Sequence, residues 1–281
     1  MLIIALKIRI TLITMLLLIP SLSYADVLID DCGTEISQQD KNKKLWIVNL
    51  AGIGVVTAWG IANWDYFSQS PQTTSEGWFS NDTASGGADK LGHAYTSYVL
   101  SHGLSSLYES WCINKNDAAA YGALSSLAIV GYMELGDSFS EFGASREDML
   151  ANIIGVGFGY FTYKNPSLSN IVDFRWEYKP NSNTIGDFST DYENSKYLLA
   201  LKLNGFDFAR NSFLKHIEFH TGYYTRGFSD ANETKERNVF IGIGFNLTDL
   251  FRRHSYNKTA TLLKYYQIPG TSLQKKNNLN D

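Results

Sequence analysis

Ser145-Arg146-Glu147-Asp148-Met149-Leu150-Ala151-Asn152-Ile153-Ile154-Gly155 repeats its small and apolar residues every three to four positions, whereas Tyr197, Leu199, Leu201 and Leu203 repeat every two and stop at Asn204-Gly205. The first spacing lines one face of a helix and the second lines one face of a strand. The period changes after Pro166. Upstream, helical spacing is expected over 45–64, 89–111 and 145–163, and from a cap at Asn116 or Asp117 to about Leu135. Ser145-x-x-Asp148 reads as a capping-box start. Downstream, strands are expected over 171–179, 197–203, 214–225 and 239–247, then a short helix over 258–267. The expected fold is α+β: a small-residue-rich four-helix unit packed with a roughly four-stranded antiparallel sheet. The expected segments are a signal peptide (1–25), a helical region (26–165), a strand region (166–270) and a solvated tail (271–281).

Composition narrows the partners. Hydrophobic residues make up 44% of the 281, too many for a disordered chain. Lys and Arg number 24 against 28 acids, which argues against nucleic acid. Two cysteines exclude a disulfide scaffold and a Cys-rich zinc site. Lys7 and Arg9 precede an apolar stretch over 10–19, and Ser23-Tyr24-Ala25 offers a small-x-small cleavage site. Residues 1–25 therefore read as a secretory signal, and the chain as exported to the periplasm. Cys32 follows Ile29-Asp30-Asp31, which is not a lipidation site. Export leaves Cys32 and Cys112 either joined as a disulfide or buried as thiols. Residues 45–64 carry no charge, but Asn49, Asn63, Gly52, Gly54 and Gly60 favour a buried or membrane-facing helix over a true span. Membrane association is expected on that ground.

Three helices carry polar groups at related ends. Asp89-Lys90-x-x-His93 opens one, Glu134-x-x-Asp137 closes the next, and Asp148-x-x-x-Asn152 opens the last. Asp89 and His93, four apart, share a face. Glu134 follows Gly131, Leu127 and Leu124, so the carboxylate is expected to continue an apolar row. In an up-and-down bundle these three ends meet. His and carboxylates at such spacings suit either a metal or acid–base chemistry. His93, Glu134 and Asp137 are the candidate catalytic residues. Lys90, Asp148 and Asn152 are the candidate ligand-binding residues. Asp89, His93, Glu134 and Asp137 are the candidate ligands of a divalent metal. The competing reading is a structural polar network that only locks helix packing. His216-x-Glu218-x-His220 reads as an exposed strand face, with metal binding the weaker alternative. There is neither a G-x-S-x-G elbow nor a P-loop.

The runs Gly86-Gly87-Ala88-Asp89-Lys90-Leu91-Gly92-His93 and Glu134-Leu135-Gly136-Asp137-Ser138-Phe139-Ser140, with Asp148 to Gly155, resemble the YfiM-like family of predicted periplasmic lipoproteins, whose function is unknown. A more distant similarity is to VanZ-like membrane proteins, which place comparable residues on three helices. These resemblances imply a cell-envelope protein, with an envelope lipid or lipid-linked glycan as partner, and carry no reaction.

Overall fold

The computed structural model describes Cys32 and residues 36–180, 190–229 and 233–280. The leader read as a signal peptide lies outside the described residues. The longer helices are α1 (Gln38–Asn63), α2 (Ala88–Ser110), α3 (Lys115–Asp137) and α4 (Arg146–Lys164). Shorter ones are α5 (Pro166–Ile171), α6 (Asp207–Arg210), α7 (Leu247–Arg253) and α8 (Asn257–Tyr265). The strands are β1 (Thr73–Thr74), β2 (Ala144–Ser145), β3 (Val172–Tyr178), β4 (Ser195–Lys202), β5 (Ile217–Arg226), β6 (Glu236–Phe245) and β7 (Ser272–Asn278). The fold is α+β.

The division into two units does not follow chain order. The described residues before Trp78 join Thr96–Lys164 in a helical unit, and Trp78–Tyr95 joins the strands after Asn165. Chain order alone therefore does not give the two units. Contacts far apart in sequence explain the difference: the Tyr223 hydroxyl donates to the Gly86 carbonyl, and Phe79 packs edge-on against Tyr223.

In the helical unit, α3 lies between α1 and α4. Its N-cap is Asn114, whose side chain accepts from the Asp117 N–H at 3.0 Å, rather than Asn116 or Asp117. The helices meet through small and polar side chains. Asn49 donates to Ser125 at 3.0 Å, and the Thr57 and Tyr132 hydroxyls lie 2.9 Å apart. A Cβ on Gly122 would stand 2.1 Å from Ser105 Oγ and 2.4 Å from its backbone N, so only glycine allows this approach of α2 and α3. Gly122→Val is therefore expected to lower stability by about 1–3 kcal/mol or more, read from thermal unfolding; an unchanged midpoint would refute this contact.

Cys32 and Cys112 are joined, with Cα atoms 5.5 Å apart across a sequence separation of 80. Chain-entropy reasoning gives a closure of this length on the order of 4 kcal/mol. Lys41 adds an ion pair to Asp117 at 3.1 Å at the same end of α1. Among the described residues, α1 and α3 have the length and apolarity of a membrane span, although half of the α3 stretch is buried inside the protein.

The strand unit holds a five-stranded antiparallel sheet in the order β3-β4-β5-β6-β7. The stretch expected as a solvated tail supplies the fifth strand. Its sequence, Ser272-Leu273-Gln274-Lys275-Lys276-Asn277-Asn278, lacks apolar alternation because it is an edge strand, where lysines protect against further pairing. One face carries Phe174, Trp176 and Tyr197, against which the Tyr95 ring packs at 5.5–6.3 Å. Towards β6 and β7 that face leaves Ile241, Ile243 and Leu273 exposed.

The opposite face is charged and closed. Arg175 donates to Glu218 at 2.6 and 3.0 Å and to Asp173 at 2.9 Å. Lys202 donates to Asp173 at 2.6 Å, and His220 lies 2.9 Å from Glu218. Glu218 is 0% and His220 3% exposed, so these two do not stand on an open strand face as expected. His216 ends a 3-10 turn ahead of β5 instead of sharing the strand. Burial would raise the Asp173 carboxyl, but Lys202 and Arg175 outweigh it and hold it below the usual range. Glu218 is held low in the same way, by Arg175 and His220 against its burial. Two cations face two carboxylates here, and that balance marks a structural network.

Candidate functional site

The site is built where α3 ends and α4 begins. Ser145 caps α4: its Oγ accepts the Asp148 N–H at 3.2 Å, which realises the capping spacing read from sequence. The cap faces Asp148 into the unit, where it is 5% exposed. One turn on, Asn152 is 0% exposed; its amide donates to Glu134 Oε1 at 3.0 Å and its carbonyl accepts from Ser97 Oγ at 2.7 Å. Glu134 also receives the Ser145 backbone N–H. Asp137, half-buried, faces the Tyr66 hydroxyl, which donates to the Met133 carbonyl at 2.9 Å. Glu134, Asp137, Asp148 and Asn152 are thus gathered in one unit, as the up-and-down arrangement requires.

Glu134 is buried, but not by the row expected. Leu124 is 64% exposed, while Ser126 and Val130 are buried with the carboxylate. The buried stripe of α3 is rich in small residues, with Ile129 and Val130 among them, while Leu124 and Leu135 are exposed.

The electrostatics are those of crowded like charges. Burial, then Asp148 and Asp137, push the Glu134 carboxyl up to about 8. Burial and Asp148 push Asp137 up to about 6, against the lowering effect of Tyr66. Pushed-apart carboxyl values in a cleft are a marker of function, though also of structural networks.

The first turns of α2 carry the remaining candidates. Lys90 is 2% exposed and pairs with Asp89 at 2.5 Å. Because α2 is unbroken from Ala88 to Ser110, His93 stands one turn ahead of Ser97 on the same side of the helix. Ser97 is the α2 residue that bonds Asn152. It carried a faint signal, four residues after His93; Tyr66, reached through the turn after α1, carried none.

Residues 75–164 match the family described as predicted periplasmic lipoprotein (DUF2279). The matched segment holds every site residue expected from sequence, though not Tyr66, and its described compartment is the periplasm, as read from the N-terminal residues. No curated protein and no solved structure matches the chain. The lipoprotein part of the description meets an obstacle here, because both cysteines are consumed in one disulfide and neither sulfur is open to a thioether-linked lipid.

Proposed function

We propose that this is a periplasmic envelope protein whose end-of-bundle pocket binds a divalent cation, and through it the anionic headgroup of an envelope lipid or lipid-linked glycan. One observation carries the reading: the buried Glu134 carboxyl, bonded to the Asn152 amide, lies in the field of two further carboxylates, Asp148 and Asp137. A cation offsets their repulsion, and a mixed set of carboxylate, amide and imidazole donors suits divalent ions. In this reading His93 is a ligand or base. Asp89, Glu134 and Asp137 are ligands or orienters, Asp148 and Asn152 position the bound group, and Lys90 favours an anionic headgroup.

Elemental analysis of the purified mature protein tests this. About one equivalent of metal is expected in the wild type, with at least tenfold less in Glu134→Gln and His93→Ala. Metal-free wild type with undiminished stability and cellular role would remove the proposal.

A second reading has its own observation. Ser126 donates to the Ser97 carbonyl at 3.1 Å, so Asn152, Ser97 and Ser126 pin α2, α3 and α4 together. If that is the whole role, Glu134→Gln costs stability while cellular activity survives at permissive temperature.

A further inference from the structure

The interior of the helical unit is mixed. Beside an apolar cluster of Val48, Leu104, Tyr108, Ile113 and Ile129, it buries polar side chains, Ser97, Ser101, His102, Ser105 and Asn152. The unit's outer side is apolar. Along α1, Trp46 is 69%, Leu50 60% and Ile61 56% exposed, while Lys41, Asn49 and Thr57 turn inward to Asp117, Ser125 and Tyr132. A surface helix in water does the reverse. Between Leu45 and Asn63 the exposed positions of α1 recur at helical spacing, cover about half its circumference and bear no polar side chain. Leu124 and Leu135 of α3, and Ile154 and Phe161 of α4, are exposed as well, so the neighbouring helices add apolar surface of their own. Monomeric soluble proteins rarely expose apolar patches beyond a few hundred Å².

We propose that this apolar outer side is seated in one leaflet of a lipid bilayer. The rim chemistry selects lipid over a protein partner. Lys43, exposed, and Lys44, whose ammonium lies over the Trp111 ring, supply positive charge at one end of the charge-free stretch, where it favours anionic headgroups, and tryptophans mark both ends, Trp46 at one and Trp59 and Trp64 at the other. The stretch is roughly 28 Å long at 1.5 Å per residue, so laid flat it offers a long apolar keel. Insertion from one side also fits the redox chemistry: the Cys32–Cys112 end needs an oxidising compartment, and a seated unit keeps both of its ends there. The seat takes over the attachment that a lipidated cysteine would otherwise supply. It is independent of the metal pocket, since it uses none of that pocket's residues.

Flotation of the purified mature protein with vesicles of phosphatidylethanolamine and phosphatidylglycerol tests it. The wild type is expected to float, with Trp emission shifting to the blue. Leu50→Glu and Ile154→Glu, at exposed positions that leave the interior untouched, are expected to reduce binding at least tenfold. Lys43→Glu with Lys44→Glu should weaken binding to these vesicles but not to neutral phosphatidylcholine vesicles. Three results would overturn the seat: a wild type that stays at the bottom of the gradient, apolar-face variants that float as well as it does, or light scattering that shows a lipid-independent dimer broken by those variants. Circular dichroism of each variant confirms that a loss of binding is not a loss of fold.

Discussion

The metal-stripped protein is expected to lose several kcal/mol of stability as pH rises from 5 to 9, and Glu134→Gln is expected to abolish most of that slope. The folded protein holds the Glu134 carboxyl at about 8 and Asp137 at about 6, well above their unfolded values near 4. A raised carboxyl binds its proton more tightly folded than unfolded. Its contribution is therefore complete below the unfolded value and disappears as pH climbs through the folded one. Every tenfold gain in proton affinity on folding corresponds to about 1.4 kcal/mol, so Glu134 dominates. Divalent cation should reverse the loss at pH 8–9, because it takes the place of the missing proton. Thermal unfolding across pH, with chelator and with added metal, measures both effects. A flat wild-type profile with chelator would show that the three carboxylates do not repel one another as described.

Arg175→Met is expected to cost about 3–5 kcal/mol, enough to unfold the strand unit at ordinary temperatures. The guanidinium is 2% exposed and satisfies Glu218 and Asp173 together; without it both carboxylates stay buried with part of their pairing gone. A denaturant titration followed by Trp176 fluorescence reads the loss. Combining Arg175→Met with Glu218→Gln should recover part of it, since one uncompensated charge is then removed. The network also sets an acid limit. Asp173 and Glu218 titrate below the ordinary carboxylate range in the fold, so their contribution is present above pH ~4 and fails as pH falls through those depressed values. A single variant as stable as the wild type would show that the charge pairing does not hold the sheet.

What the sequence made legible was local. Ser145 and Asp148 announced the start of α4 because a cap is a four-residue event. Glu134 and Asp137 were found because carboxylates one turn apart stand out among small and apolar neighbours. The environment of Glu134 was not legible, because hydrophobic spacing ordinarily marks the inside of a helix while α3 turns Leu124 and Leu135 out and Ser126 in. The same inversion hid the polarity of α1. β7 was missed because an edge strand rich in lysine and asparagine lacks the alternation by which inner strands are recognised. The Arg175 network was missed because β3 is buried on both faces, so its charges interrupt rather than alternate with the apolar residues. The joining of Trp78–Tyr95 to the strands rests on contacts such as Tyr223 to Gly86, which no window of sequence contains.

The bond between Cys32 and Cys112 also dictates an order of maturation. Its two sulfurs are separated by 80 positions, so α1 emerges from synthesis long before its clasp exists. Closure waits on delivery to an oxidising compartment, by which time α2 has been completed. A copy stranded among reductants would lack the covalent clasp ahead of its first helix and hold that helix by noncovalent contacts alone, those with α3 among them. Arrival at the destination thus doubles as the final assembly signal, and a thiol oxidase becomes the timekeeper of the helical unit.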